Sequence, residues 1–336
     1  RFQMNQILDA NAPVATIFGG SGFVGKYIVR RLVRLGWRIR VAVRNPNEAL
    51  FLKTYGEVGQ IDVFKCSIFD QEALSECITG STLVINAVAG DLNETSKKMF
   101  KKYYIDGPEL IALNCFKFNV KKFVHISSLG VEKQSGSLYS ISKVKGEKKI
   151  KEKFPNVSIV RPSLIFGHED RFFNKYASLA AYSFLVPLIG SNTKFQPVYV
   201  DDVASAVEKI STEKSLTGVF ELGGPEILSF KKMIQKMLKI IRRKRLIVSL
   251  PLNIAKFIAV FFELTSKLTF GLFPIPFTQD NVTQLKVDNV VSKKAKTFKD
   301  LGIKPQNIDT ILPLYLYSYR PHGQYYEITQ SANKNN

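Results

Sequence analysis

Val14-Ala-Thr-Ile-Phe-Gly-Gly-Ser-Gly-Phe-Val-Gly-Lys26 decides the fold. Val14 to Phe18 is a short apolar run of strand length. Glycines follow at Gly19, Gly22 and Gly25, and Ile28, Val29, Leu32 and Val33 then return at helical spacing. Gly36 closes the helix and Arg38-Ile-Arg-Val-Ala-Val43 supplies a second strand, so residues 14–44 read as a right-handed βαβ unit. Each glycine has a use there: one permits the tight turn, one lets backbone approach a pyrophosphate, and one lets the helix pack on the strand. The start of the helix turns unpaired N–H groups toward the phosphates. The expected cradle is Gly19, Ser21, Gly22, Phe23, Val24 and Gly25. A glycine turn alone is a weak signal; its place between this strand and this helix makes it a dinucleotide-binding signature.

An NAD-preferring site usually offers an acid at the end of the second strand, whereas here Arg44-Asn-Pro46 follows it. A guanidinium suits a 2′-phosphate. The sequence therefore favours NADP(H), with NAD(H) as the alternative.

Strand-like runs recur at 61–65, 82–87, 122–126 and 158–160, separated by helical patterning such as 71–78 and 107–118. The alternation predicts an α/β fold, a Rossmann doubly wound parallel sheet, with a smaller, mostly helical C-terminal lobe. The expected division is 12–225 for the dinucleotide-binding domain, with cleft-lining excursions at 163–200, then 226–325 for the lobe and 326–336 for a flexible tail. Ligands of such sheets sit at the carboxyl ends of the strands, which makes Ser67, Ala87, Val88, Ala89, Ser127 and Ser163 expected cleft residues.

Ser127 and Ser128 end the fifth strand, and Tyr139-Ser-Ile-Ser-Lys143 opens the next helix. Residues four apart share a helical face. Beside a nicotinamide, Lys143 would favour the phenolate of Tyr139, allowing proton exchange with a substrate oxygen, while Ser127 or Ser128 could hold a carbonyl. These four are the candidate catalytic residues. Tyr139 and Lys143 could equally hold the nicotinamide ribose. A Tyr and Lys on a solvated helix is the bland alternative, and their position after a Ser-Ser strand end argues against it. Pro162 and Ser163, after the sixth strand, are expected at the nicotinamide end. His168 reads as a surface-loop residue, because no second chemical group is fixed beside it.

The formal charge of +20, from 48 basic and 28 acidic residues, sets up a field that attracts anionic lipid, nucleotide phosphate or an acidic partner. Nucleic acid is not expected, since no basic region interleaves with aromatic residues and no zinc-finger spacing occurs. Cys66, Cys77 and Cys115 lack metal-ligand spacing and read as reduced thiols; no metal is expected. No signal-peptide pattern is read ahead of the first strand.

The glycine turn, the Tyr139/Lys143 pair, Arg161-Pro162-Ser163 and Gln196-Pro-Val-Tyr-Val-Asp-Asp-Val203 together resemble extended or atypical short-chain dehydrogenases of the NAD-dependent epimerase/dehydratase kind. More narrowly, Ile165-Phe-Gly-His-Glu-Asp-Arg-Phe-Phe-Asn174, Gln196–Val203 and Tyr319-Arg-Pro-His-Gly-Gln-Tyr325 resemble the nucleotide-binding accessory subunits of respiratory complex I and their alphaproteobacterial relatives. The resemblance implies a tightly held, structural NADPH and other complex I subunits as partners. It implies a peripheral place on the inner face of an energy-transducing membrane, either the bacterial cytoplasmic or the mitochondrial matrix side. Gly19, Gly22 and Gly25 would take the pyrophosphate, Arg44 the 2′-phosphate, and Tyr139 and Lys143 the nicotinamide ribose. One departure stands out: Cys66-Ser67 occupies the place where many extended dehydrogenases put an acid for adenine.

In the lobe, Phe230–Ile241 reads as a helix leading to a cluster with six basic residues among the ten from Lys236 to Arg245. The apolar stretch Leu246–Phe262 is broken by Pro251 and Lys256, and Leu268–Phe277 is short and rich in proline, so neither spans a bilayer. They either dock on an anionic membrane surface or cover the cleft. Two functions remain at this level. One is an NADP(H)-binding accessory or assembly subunit of complex I; the other is a free-standing NAD(P)-dependent reductase, dehydrogenase or epimerase.

Overall fold

The computed structural model describes residues 12–90, 94–133, 136–268 and 276–321. Seven parallel strands form its frame: β1 (Val14–Phe18), β2 (Arg38–Val43), β3 (Ile61–Lys65), β4 (Leu83–Asn86), β5 (Lys122–Ile126), β6 (Ser158–Pro162) and β7 (Gly218–Leu222). Their spatial order is β7-β6-β5-β4-β1-β2-β3. β1 lies inside the sheet, Ala15 pairing with Ile39 of β2 and Leu83 of β4, and its side chains from Ala15 to Phe18 are buried toward both faces because helices cover both, the one polar member, Thr16, donating to Cys77 O at 2.8 Å. The order reverses between β1 and β4, opening a crevice at their carboxyl ends.

The principal helices are α1 (Phe23–Arg34), α2 (Gln71–Ile78), α3 (97–117), α4 (Leu138–Lys153), α5 (Phe173–Tyr182), α6 (Val200–Thr212), α7 (Phe230–Ile240), α8 (Leu252–Leu268) and α9 (Gln279–Gln284). On one face Ile28 and Leu32 of α1 pack with Val203, Val207 and Ile210 of α6. Arg31 forks onto Asp201 at 3.1 and 2.7 Å and reaches Glu208 at 3.0 Å, stapling the two helices. On the other face Leu74, Ile78, Ile111 and Ile150 from α2, α3 and α4 cover Phe18, Val84 and Phe123.

α3 contains a π-helical turn, Lys102–Asp106, in which Gly107 N–H donates to Lys102 O. Pro108 offers no N–H of its own and follows immediately, so the widened turn removes a conflict that a regular helix would meet. Gly146 of α4 makes room for it: a Cβ there would lie 1.8 Å from Tyr104 O.

The lobe has its own core, built from three separate stretches. Phe166, Phe173, Ala177 and Leu188 join Phe230, Met233 and Met237, and Ile308, Leu312 and Tyr315 complete it. Residues 164–199 thus belong to the lobe's packing as much as those beyond 225, while Phe298 and Leu301 return to the core of the sheet. The two distant segments 165–174 and 319–325 meet where described. Buried Asp170 accepts from Tyr315 Oη at 2.5 Å and Phe173 N at 2.5 Å, and Tyr319 Oη donates to Asn174 at 3.1 Å. Residues 322–325 and the expected tail 326–336 lie outside the described residues.

The apolar stretch after residue 245 divides at Pro251. Leu246–Leu250 is a strand parallel to Leu185–Ile189, and α8 follows. No helix among the described residues is long and apolar enough to cross a membrane. Of the second apolar group, residues 269–275 lie outside the described residues.

Candidate dinucleotide site

The crevice is built around three glycines with different constraints. Gly19 has φ +75°, and a Cβ on it would stand 2.8 Å from the carbonyl carbon and oxygen of Ala87. A Cβ on Gly25 would stand 2.1 Å from Gly19 O, so the helix could not sit where it does. Gly22 meets only Gly19 O at 3.2 Å, and its exposed face looks outward. It is the N-cap of α1, which has no side-chain cap and no acid in its first turn. The N–H groups around Phe23 and Val24 therefore present uncompensated positive charge to any anion in the crevice. Ser21, Phe23 and Val24 are half-buried there.

The walls come from the neighbouring strand ends. Ala87 and Val88 are half-buried and Ala89 exposed, with Val88 N–H held by Asn86 Oδ1 at 3.1 Å. Arg44 is exposed at the end of β2 with no ion-pair partner among the described residues. Ser67 is exposed after β3, its hydroxyl accepting Phe69 N–H at 3.3 Å.

Tyr139 and Lys143 stand one turn apart on α4. Lys143 is buried; its Nζ lies 3.4 Å from Ile126 O, 5.0 Å from the Tyr104 ring centroid and 5.7 Å from that of Tyr139. The Tyr104 and Tyr139 rings meet edge-on at 5.2 Å. Burial, with the Lys143 ammonium nearby, holds His125 well below its ordinary pKa, so the imidazole is neutral, with Nδ1 3.2 Å from Asn86 Nδ2. Lys143 Nζ thus lies against two aromatic rings.

Ser127 points elsewhere. Its Oγ donates to Glu147 Oε1 at 2.5 Å, and the same carboxylate takes the Arg161 guanidinium at 3.0 and 2.5 Å. Burial works against the charge of Arg161, and the bonds it donates to Glu147 and Glu132 outweigh that cost. Ser128 is the member of the pair with solvent exposure. Pro162 ends β6 opposite Leu222, and buried Ser163 donates to Asn289 Oδ1 at 2.6 Å. His168 is exposed, its ring 5.3 Å from that of Tyr315. Among the described residues no three His, Cys, Asp or Glu side chains are grouped to hold a metal ion.

The profile of the 3-beta hydroxysteroid dehydrogenase/isomerase family matches residues 16–157. The mitochondrial NADH-ubiquinone oxidoreductase 40 kDa subunit of Neurospora crassa is 31% identical over 321 residues, covering 95% of this chain and 83% of that one. The mitochondrial NADH dehydrogenase (ubiquinone) 1 alpha subcomplex subunit 9 of Dictyostelium discoideum is 32% identical over 324 residues, covering 96% and 89%. The chain belongs to this subunit family. Its fold is shared with the UDP-glucose 4-epimerase of Thermotoga maritima, at a TM-score of 0.65 over 94% of this chain and 99% of that one, with 17% identity.

Within this member of the subunit 9 family, three site residues were not singled out by the sequence. Glu147 lies four residues beyond Lys143 and so on the same helical face, a spacing that could have marked it. Tyr104 enters through the π turn and accepts Gly90 N–H at 3.1 Å, closing the wall beside Tyr139. Asn289, from the lobe, bonds Leu129 O at 2.8 Å as well as Ser163. No local pattern announces the last two.

Proposed function

We propose that the chain is an accessory subunit of respiratory complex I that holds an NADP(H) as a structural element. The observation that carries this reading is kinship of 31–32% over nearly the whole chain, lobe included, with proteins named as subunits of NADH dehydrogenase. A shared glycine turn or fold is matched by Rossmann enzymes; the epimerase that covers both lobes is only 17% identical, against 31–32% for the subunits. The site chemistry supports it. Ser127 and Ser163 are committed to Glu147 and Asn289, while the cradle and Tyr139 with Lys143 remain suited to phosphate and ribose.

Arg44 favours the 2′-phosphorylated cofactor, because an exposed guanidinium at the end of β2 faces the adenosine ribose of a bound dinucleotide. Arg44→Ala should lower the preference for NADPH over NADH by about tenfold, the worth of one charge-assisted contact. Equal preference in both proteins would refute the assignment.

The lobe would rest against an anionic membrane surface on the inner side of the membrane. Ile254, Phe257, Phe261 and Leu264 of α8 are 51–77% exposed on one helical face, and Leu246 is exposed on the strand before it. The basic cluster is divided: Arg243 and Arg245 donate to Tyr319 O and Ala180 O, so the exposed Lys244 is better placed for headgroups. The second reading, a free-standing reductase or epimerase, draws on the intact Tyr139 and Lys143. Native electrophoresis of detergent-solubilised membranes decides between them: co-migration with complex I supports the subunit, and exclusive migration as a free monomer refutes it.

A further inference from the structure

The first turn of α4 is held from outside the sheet. Ser137 caps it, Oγ accepting Ser140 N–H at 3.2 Å. The remaining donors converge on Asp280 of α9: Leu138 N at 2.5 Å, Ser137 Oγ at 2.9 Å and Tyr139 N at 3.4 Å. A carboxylate at this point also meets the positive end of a 16-residue helix. Asp280 lies 141 residues from Tyr139 in sequence, so the lobe helps to set where Tyr139, and Lys143 one turn later, stand in the crevice.

α9 is itself braced. Thr278 and Asn281 form a capping box, Gln284 Nε2 donates to Asp280 at 2.9 Å, and Lys175 reaches Pro276 O at 3.2 Å. Glu263 of α8 accepts both Gln279 N and Gln279 Nε2 at 2.8 Å. Further along the same segment Asn289 grips Leu129 and Ser163 beyond the ends of β5 and β6. Residues 276–291 are thus a strap fixed to α8 at one end and to the strand ends at the other.

We propose that Asp280 is a positioning residue of the dinucleotide site, fixing the first turn of α4 and so the grip of Tyr139 and Lys143 on the nicotinamide ribose, and tying that grip to α8 through the Glu263–Gln279 contact. The inference rests on the reading of the crevice as a dinucleotide site. Thermodynamic linkage makes the tie reciprocal: a dinucleotide that orders α4 also orders α9, and anything that steadies α8 strengthens binding at the nicotinamide end.

The test is a titration of the full chain with NADPH, followed by nicotinamide fluorescence, and in parallel with adenosine 2′,5′-bisphosphate, which lacks the nicotinamide half. Asp280→Ala should weaken NADPH about tenfold, about 1.4 kcal/mol, while leaving the bisphosphate within about twofold. Asp280→Asn should recover part of the loss, since its amide oxygen still accepts a backbone N–H, and it carries the test alone if the alanine variant does not fold. Glu263→Ala should give a smaller loss confined to NADPH. Equal weakening of both ligands would mean general loosening and would overturn the proposal, as would no change in either. Failure of the unaltered chain to bind NADPH or NADH would overturn the crevice assignment and this inference with it.

Discussion

Asp202 offers a perturbation whose size can be worked out from its surroundings. It lies in the first turn of α6, only 8% exposed, with Gln306 N–H donated to its carboxylate at 2.6 Å. Burial, reinforced by the charge of Asp201, pushes it up to about 6 from an ordinary 3.8. The folded chain therefore holds this proton more tightly than the unfolded chain. The favourable contribution is complete below about pH 4 and is lost as the pH rises through about 6. A shift of roughly two pH units corresponds to about 3 kcal/mol, and solvent screening reduces this to about 2 kcal/mol. Asp202→Asn is neutral at every pH and keeps an oxygen for Gln306. Urea titrations should give the two proteins similar stability at about pH 4 and a variant about 2 kcal/mol more stable at about pH 7.5. A difference that stays flat across that range, or a variant weaker at the upper end, would refute the reasoning.

The glycines should separate binding from folding: Gly22→Ala should weaken NADPH with only a small drop in the unfolding temperature, whereas Gly25→Ala, with its Cβ 2.1 Å from Gly19 O, should disturb both strongly. Identical behaviour of the two in a thermal-shift titration would contradict the cradle geometry. Glu147→Ala should cost about 3 kcal/mol in chemical denaturation, because it strips from a buried guanidinium the buried carboxylate bonded to it twice; a loss under about 1 kcal/mol would show that Glu132 and Glu221 suffice. Phe257→Asp with Phe261→Asp should abolish flotation with anionic vesicles at unchanged stability, since both rings are already in solvent; undiminished flotation would remove α8 from the docking face.

The elements legible in the sequence are those whose reasons are local. Strand runs at 61–65 and 122–126 and the helix at 71–78 appear with their predicted bounds, because hydrophobic period and the Asp70 cap act within a few residues. The π turn was not legible, since it answers to Pro108 and to the approach of Gly146 from another helix. Ser127 shows the same limit at the site. A serine at a strand end is placed by the fold, but the direction of its hydroxyl is set by Glu147 and Arg161, which pair across the helix–sheet contact. Asp280 and Asn289 reach the site from the lobe through a strap whose sequence carries no signature. The meeting of residues 165–174 with the chain's C-terminal region, where Asp170 and Tyr315 bond, was not legible either, because no local pattern pairs segments so far apart.

The crevice walls and the lobe together fit the proposed retention of a dinucleotide without turnover. Tyr104 closes one wall beside Tyr139, Asn289 takes the hydroxyl of Ser163, and the strap spans the strand ends. The most direct test is the dinucleotide content of the chain isolated within its native complex, assayed before and after prolonged turnover with NADH. The account predicts about one NADPH per chain, unchanged by turnover. Absence of any bound dinucleotide, or its rapid exchange and oxidation, would contradict it.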